Sequence, residues 1–160
     1  MMSQHNALNS CEPSVQVLEI QTSRFGIVQV EADKILHFPD GLLGLPDHKE
    51  YCLLPHQPGS PFFWLQSVTT PYLSFIVIDP LLVEPDYLEN LPEADRQLFE
   101  GVDRGDVIVL ALVTIKPEKD PPLTMNLVGP IVVDQQTRTA HQVVLSSTRY
   151  TCRHALRLQS

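Results

Sequence analysis

Six histidines, three cysteines and 19 carboxylates are the side chains of this 160-residue chain suited to acid–base, nucleophilic or metal work. Their spacing organises none of it. His5, His37, His48, His56, His141 and His154 are scattered, and Cys152-x-His154 is the one close pair of metal-type ligands, whereas zinc sites converge three or four donors. Cys11, Cys52 and Cys152 are odd in number and far apart, which fits neither a disulfide framework nor a zinc pattern and points to the cytoplasm. The chain has no Gly-x-Ser-x-Gly elbow, no Gly-x-x-x-x-Gly-Lys phosphate loop, no His-Glu-x-x-His helix and no Gly-x-Gly-x-x-Gly turn. A reaction centre needs a positioned acid, base or nucleophile, so the residues favour a protein that is not an enzyme and uses no cofactor or metal.

The carboxylates matter instead as charge. The net charge is −8, and most of it is local: residues 79–106 hold nine acids against Arg96 and Arg104. After Asp134 there are no acids and four arginines, Arg138, Arg149, Arg153 and Arg157. Nucleic-acid binding requires cations that displace counterions from phosphates, so direct RNA or DNA binding is not expected of a chain with this balance. An acidic stretch suits a basic protein partner, or simply solubility.

The frame that carries these charges is mostly β. A mean hydropathy of −0.02 lies between the disordered and membrane extremes. The longest apolar run, Val107–Val113, has seven residues, far short of the roughly 20 that a membrane helix needs. Residues 1–14 lack both the basic and the apolar regions of a secretory signal and read as a loose leader. Fourteen prolines argue against a helical bundle, because each internal proline removes a backbone donor.

Val15–Thr22 and Gly26–Val30 form an opening hairpin, and Tyr51–Leu54, Phe62–Val68 and Tyr72–Asp79 are further strands with prolines at their corners. Asp106–Ile115 is a continuous apolar strand and should be central. Leu123–Leu127, Ile131–Val133 and His141–Leu145 follow, the last two as a hairpin. Between them, Leu88, Leu91, Leu98, Phe99 and Val102 alternate with acids at helical spacing, with Pro92 suited to a helix start and Gly101 to its end. The expectation is a mostly β, antiparallel, barrel-like single domain over residues 15–150, with one or two short helices inserted around 84–102 and a basic tail at 151–160. Gly41-Leu42-Leu43-Gly44 lacks the cationic neighbours of an RNA-clamping Gly-x-x-Gly loop and reads as a turn. Phe62, Phe63 and Trp64 must point alternately in and out of their strand.

Several short segments, in order, resemble one family. His37-Phe38-Pro39-Asp40-Gly41-Leu42-Leu43-Gly44-Leu45-Pro46, then Pro61-Phe62-Phe63-Trp64-Leu65-Gln66-Ser67, Phe75-Ile76-Val77-Ile78-Asp79-Pro80, Pro85-Asp86-Tyr87, Thr124-Met125-Asn126-Leu127-Val128-Gly129-Pro130-Ile131-Val132-Val133, Gln142 and Arg153-His154 are similar to motifs of the bacterial flagellar assembly factor FliW family. The likeness spans about residues 24–155. It departs at Leu45-Pro46, where an aromatic is common, at Gly129 in place of alanine, and at Asp134 in place of asparagine.

This resemblance implies regulation by partner exchange. The family binds the translational repressor CsrA, lifting its block on flagellin messenger RNA, and alternatively binds flagellin itself. An acidic segment docked beside a basic RNA-binding surface would repel phosphate, which suits that role. Flagellin would lay an amphipathic helix on an apolar face. Asp86, Tyr87 and Asn126 are the leading contact candidates, being polar or amphipathic groups near loops, followed by Glu89, Glu93 and Asp95 as steering charges. Phe38, Pro39, Gly41, Trp64, Pro80, Pro85 and Pro130 belong to the motifs by shaping turns and filling the core. The alternatives are a hollow barrel that binds a small molecule and an enzyme of unrecognised type; a filled interior argues against the first and the lack of a convergent polar cleft against the second.

Overall fold

The computed structural model describes residues 16–146 and 149–158, so the leader at 1–14 lies outside the described residues. Eleven strands are present: β1 (Val17–Thr22), β2 (Gly26–Glu31), β3 (Leu36–His37), β4 (Glu50–Pro55), β5 (Phe62–Ser67), β6 (Ser74–Ile78), β7 (Val107–Ile115), β8 (Leu123–Met125), β9 (Ile131–Asp134), β10 (Thr139–Gln142) and β11 (His154–Ala155). β1 and β2 form a separate hairpin. The rest form one sheet in the order β11-β8-β7-β6-β5-β4-β3-β10-β9, and β9 returns to β7 and closes a ring. All pairings are antiparallel except the short contact of β3 with β10 at His37 and Thr139.

β7 is the hub, as its unbroken apolar sequence predicts. One edge pairs with β6, while the other pairs with β9 over Val107–Leu110 and with β8 over Val113–Ile115. Where the partner changes, the Leu112 carbonyl accepts a 2.9 Å hydrogen bond from the Asn126 amide, so the switch leaves no orphaned backbone group there.

Alternation along the strands builds two layers of core. Leu36, Tyr51, Leu65, Val77, Leu110, Ile131, Val133 and Ala140 pack inside the ring and fill it. The opposite face is covered twice. The β1–β2 hairpin packs Ile20 and Val30 over Ile35 and Cys52, and the 79–106 insert packs Tyr87, Leu91 and Phe99 over Ile78, Val109 and Ala111.

The insert differs from a continuous amphipathic helix. It is a 3-10 turn at Pro80–Leu82, a series of turns, the four-residue helix α1 (Glu93–Arg96) and a second 3-10 turn at Gln97–Phe99. Pro85 and Pro92 interrupt any longer helix, and Gly101, at φ +96°, ends the run in a conformation that favours glycine. The segment expected as a tail is also different: β11 pairs with β8, and Tyr150 and Leu156 are buried in the outer core. The sequence reading missed β3 and β11 because two-residue strands carry no periodicity.

Candidate functional site

The motif segments, separated by up to a hundred residues in sequence, meet at one junction. The Asn126 side-chain oxygen accepts from the Val128 and Gly129 amides at 3.0 and 2.9 Å and shapes the loop that enters Pro130. Gln142, on β10, donates from Nε2 to the Gly129 carbonyl at 3.0 Å and accepts at Oε1 from the Leu43 amide at 2.9 Å. That second bond pins the Gly41–Gly44 loop. Gly41 has φ +66°, and a Cβ there would lie 2.3 Å from the Leu45 carbonyl oxygen, so only glycine fits. The loop presents Leu43 outward, 59% exposed, while Leu42 is buried beside Phe38, whose ring meets Tyr51 edge-on at 5.1 Å. Pro39 is exposed at the loop entrance, and Pro130 is buried with its carbonyl accepting from the Val143 amide.

Asn126 therefore spends its acceptor on its own loop, and it is half-buried. Trp64 is also held within the chain, with the Arg24 guanidinium 3.9 Å above its ring and Phe25 edge-on at 6.0 Å. Gln142 belonged to the recognised motifs, but its bridging role was not readable from sequence, because both of its partners are backbone groups.

The acidic insert sorts its charges sharply. Asp79 accepts from the Leu81 amide at 2.9 Å and caps the 3-10 turn that begins at the buried Pro80; burial pushes its carboxyl up, partly opposed by that hydrogen bond. Glu84 pairs with His154 at 2.8 Å, and Asp106 with Arg104 at 3.1 Å. Asp95 is only 5% exposed, and its Oδ1 accepts from the Ser146 hydroxyl at 3.1 Å. Those four are engaged inside the chain. The remaining five of the nine, Asp86, Glu89, Glu93, Glu100 and Asp103, are exposed and make no ion pair among the described residues.

Tyr87 and Asp95 are thus not surface contacts, contrary to the expectation from loop position. Tyr87 is wholly buried: its hydroxyl donates to the Leu127 carbonyl at 2.7 Å, and its ring meets Tyr150 edge-on at 5.1 Å. Burial, and then the neighbouring Tyr150 and Asp95, push its hydroxyl far above the ordinary tyrosine range. Asn90 donates to the Tyr150 hydroxyl at 2.9 Å and adds a second tie between insert and C-terminal segment. Pro85 is exposed beside Asp86, so these turns project their charges outward from a fixed base.

Among the described residues, no group of three or more His, Cys, Asp or Glu side chains could hold a metal ion. No helix of the described residues is long and apolar enough to cross a membrane.

Comparison with known proteins decides the family. The model of the FliW protein family matches residues 19–156. This chain belongs to the FliW family. It is 35% identical over 139 residues to the flagellar assembly factor FliW of Moorella thermoacetica, covering 87% of this chain and 88% of that one. The FliW of Geobacter sulfurreducens is 39% identical over 138 residues, covering 86% and 85%. A crystal structure of a flagellar assembly factor FliW superposes with a TM-score of 0.71 at 31% identity, covering 89% of this chain and 99% of that one. The match begins within β1 and ends just beyond β11, so ring, hairpin, insert and C-terminal strand are all part of the FliW fold. The family is named for assembly rather than for a reaction.

Proposed function

We propose that this FliW-family chain is a cytoplasmic protein-binding regulator that holds the translational repressor CsrA or flagellin in turn, and so couples flagellin synthesis to its use. The observation that supports this reading best is the insert: five exposed acids without ion pairs on a segment anchored by buried tyrosines. Such a face attracts a basic protein and repels RNA, so a repressor docked there is separated from its message without its RNA site being filled. Asp86, Glu89 and Glu93 are the steering charges. The ring interior is packed with wholly buried side chains such as Leu36, Tyr51, Leu65 and Ile131, which weighs against the alternative of a small-molecule-binding barrel.

Flagellin fits an apolar contact better than an acidic one. Leu43, held outward by a rigid loop, supplies a preorganised apolar knob. The test is competition: the chain is immobilised, loaded with purified CsrA and challenged with monomeric flagellin. The expected result is release of CsrA in proportion to flagellin bound. Failure of either protein to bind overturns the proposal, and simultaneous saturation by both overturns the exchange.

A further inference from the structure

Arg153 and the β7–β8 connection have no part in the reading above, yet the fold brings them together. β8 pairs with β7 so that Thr114 faces Thr124, and the Lys116 amide donates to the Pro122 carbonyl at 2.8 Å to close the loop. β11 then pairs with β8, His154 opposite Met125, which carries Arg153 to the same place. The result is a cleft of about 460 Å³ lined by Lys116, Lys119 and Arg153 together with Thr114, Thr124 and Asp120. Three of the chain's 11 lysines and arginines converge there, although the molecule carries −8 overall.

The cations outnumber the acids of this cleft. None of the three forms an ion pair among the described residues, although Asp120 stands in the same wall and Glu118 in the same loop. The acidic insert ends where β7 begins and the cleft opens where β7 finishes. The strand's nine residues put the Asp106 end of the insert roughly 26 Å from the cleft, whereas its Glu84 end reaches His154, the neighbour of Arg153. The Asp106 end is thus well beyond the screening length of about 8 Å at physiological salt, and Glu84 is engaged by His154 rather than by the cleft cations.

We infer that this cleft is a binding site for an acidic peptide segment of a partner protein. Ammonium and guanidinium groups pair with carboxylates, and the two threonine hydroxyls add hydrogen bonds to backbone or carboxylate oxygen. The volume suits a few residues rather than a single inorganic anion. A long polyanion such as RNA would have to leave the cleft across a surface of net negative charge, whereas a short acidic segment ends within it. This site is distinct from the acidic insert and stands whichever protein docks there.

The experiment uses the full chain and a fluorescein-labelled hexaglutamate peptide, read by anisotropy at low salt. Binding should weaken as salt rises and fall at least about tenfold in a Lys116→Glu/Arg153→Glu variant, while Lys49→Glu, an exposed lysine outside the cleft, changes it less than about twofold. Cys152 lies in the cleft wall and is exposed, so bound peptide should also slow its alkylation by iodoacetamide, read by peptide mass mapping. Should the reversal variant lose its fold by circular dichroism, Lys116→Gln/Arg153→Gln takes its place with the same expectation. No binding at low salt, equal loss in Lys49→Glu, or unprotected Cys152 overturns the site. Tighter binding of an oligouridylate than of the peptide overturns the choice of occupant.

Discussion

The Tyr87 hydroxyl donates a 2.7 Å hydrogen bond to the carbonyl of Leu127 and ties the acidic insert to the loop that leaves β8. Tyr51 is equally buried, inside the ring, but its hydroxyl finds no hydrogen-bond partner among the described residues. The two tyrosines should therefore respond differently to loss of the hydroxyl. Tyr87→Phe leaves a buried carbonyl unsatisfied and should cost about 1–3 kcal/mol in urea unfolding, whereas Tyr51→Phe should be neutral or slightly stabilising. Equal losses in both would contradict the assignment.

Much of the frame could be read from residue patterns, and the reasons are specific. β7 was visible because seven apolar residues in succession, Val107–Val113, leave few alternatives to a strand buried on both faces. The corners were visible because proline excludes central strands. The fate of each acid was not visible. Asp95 and Glu93 sit two positions apart in one short helix, yet one is buried against Ser146 and the other faces solvent. Only the C-terminal segment, distant in sequence, decides that difference. Tyr87 misled for the same reason: its acceptor at Leu127 lies 40 residues away.

The motif loop should depend on two groups that never touch a partner. Gly41→Ala forces a Cβ against the Leu45 carbonyl in a left-handed backbone conformation and should destabilise by more than about 2 kcal/mol. Gln142→Leu removes the side-chain bond to Leu43 together with the bond to the Gly129 carbonyl and should cost about 1–2 kcal/mol. Hydrogen exchange at the Leu43 amide distinguishes local from global effects: it should accelerate in Gln142→Leu more than amides of β7 do. Unchanged exchange at Leu43 would show that the side chain does not hold the loop.

Stability should decline in alkali through the core thiol. Burial raises the Cys52 thiol from 9.0 to about 11, so the unfolded chain loses this proton first. Its contribution is complete below pH 9 and disappears as pH climbs toward 11; the raised hydroxyls of Tyr51 and Tyr87 extend the loss upward. The urea midpoint should fall across that window, and Cys52→Ala should show a shallower fall from a lower start. An identical slope in both proteins would remove Cys52 from the explanation.

Arg24 over Trp64 offers a check on the hairpin. The stacked guanidinium and the edge-on Phe25 hold the β1–β2 turn against β5. Arg24→Ala should cost about 0.5–1 kcal/mol and shift the Trp64 fluorescence, while Arg24→Lys should recover only part of that shift, because the ammonium lacks the planar stacking surface. A Trp64 spectrum indifferent to both would contradict the stack.

The most direct measurement is the association rate of CsrA with Asp86→Lys/Glu89→Lys/Glu93→Lys, followed by stopped flow across a salt series. These side chains are exposed, so the variant should keep wild-type stability. At low salt its association should be at least about tenfold slower, and the difference should shrink as ionic strength rises. Asp95→Lys, by contrast, should act on folding, because that carboxylate is buried. A triple variant that associates at the wild-type rate at low salt would contradict capture by the acidic face.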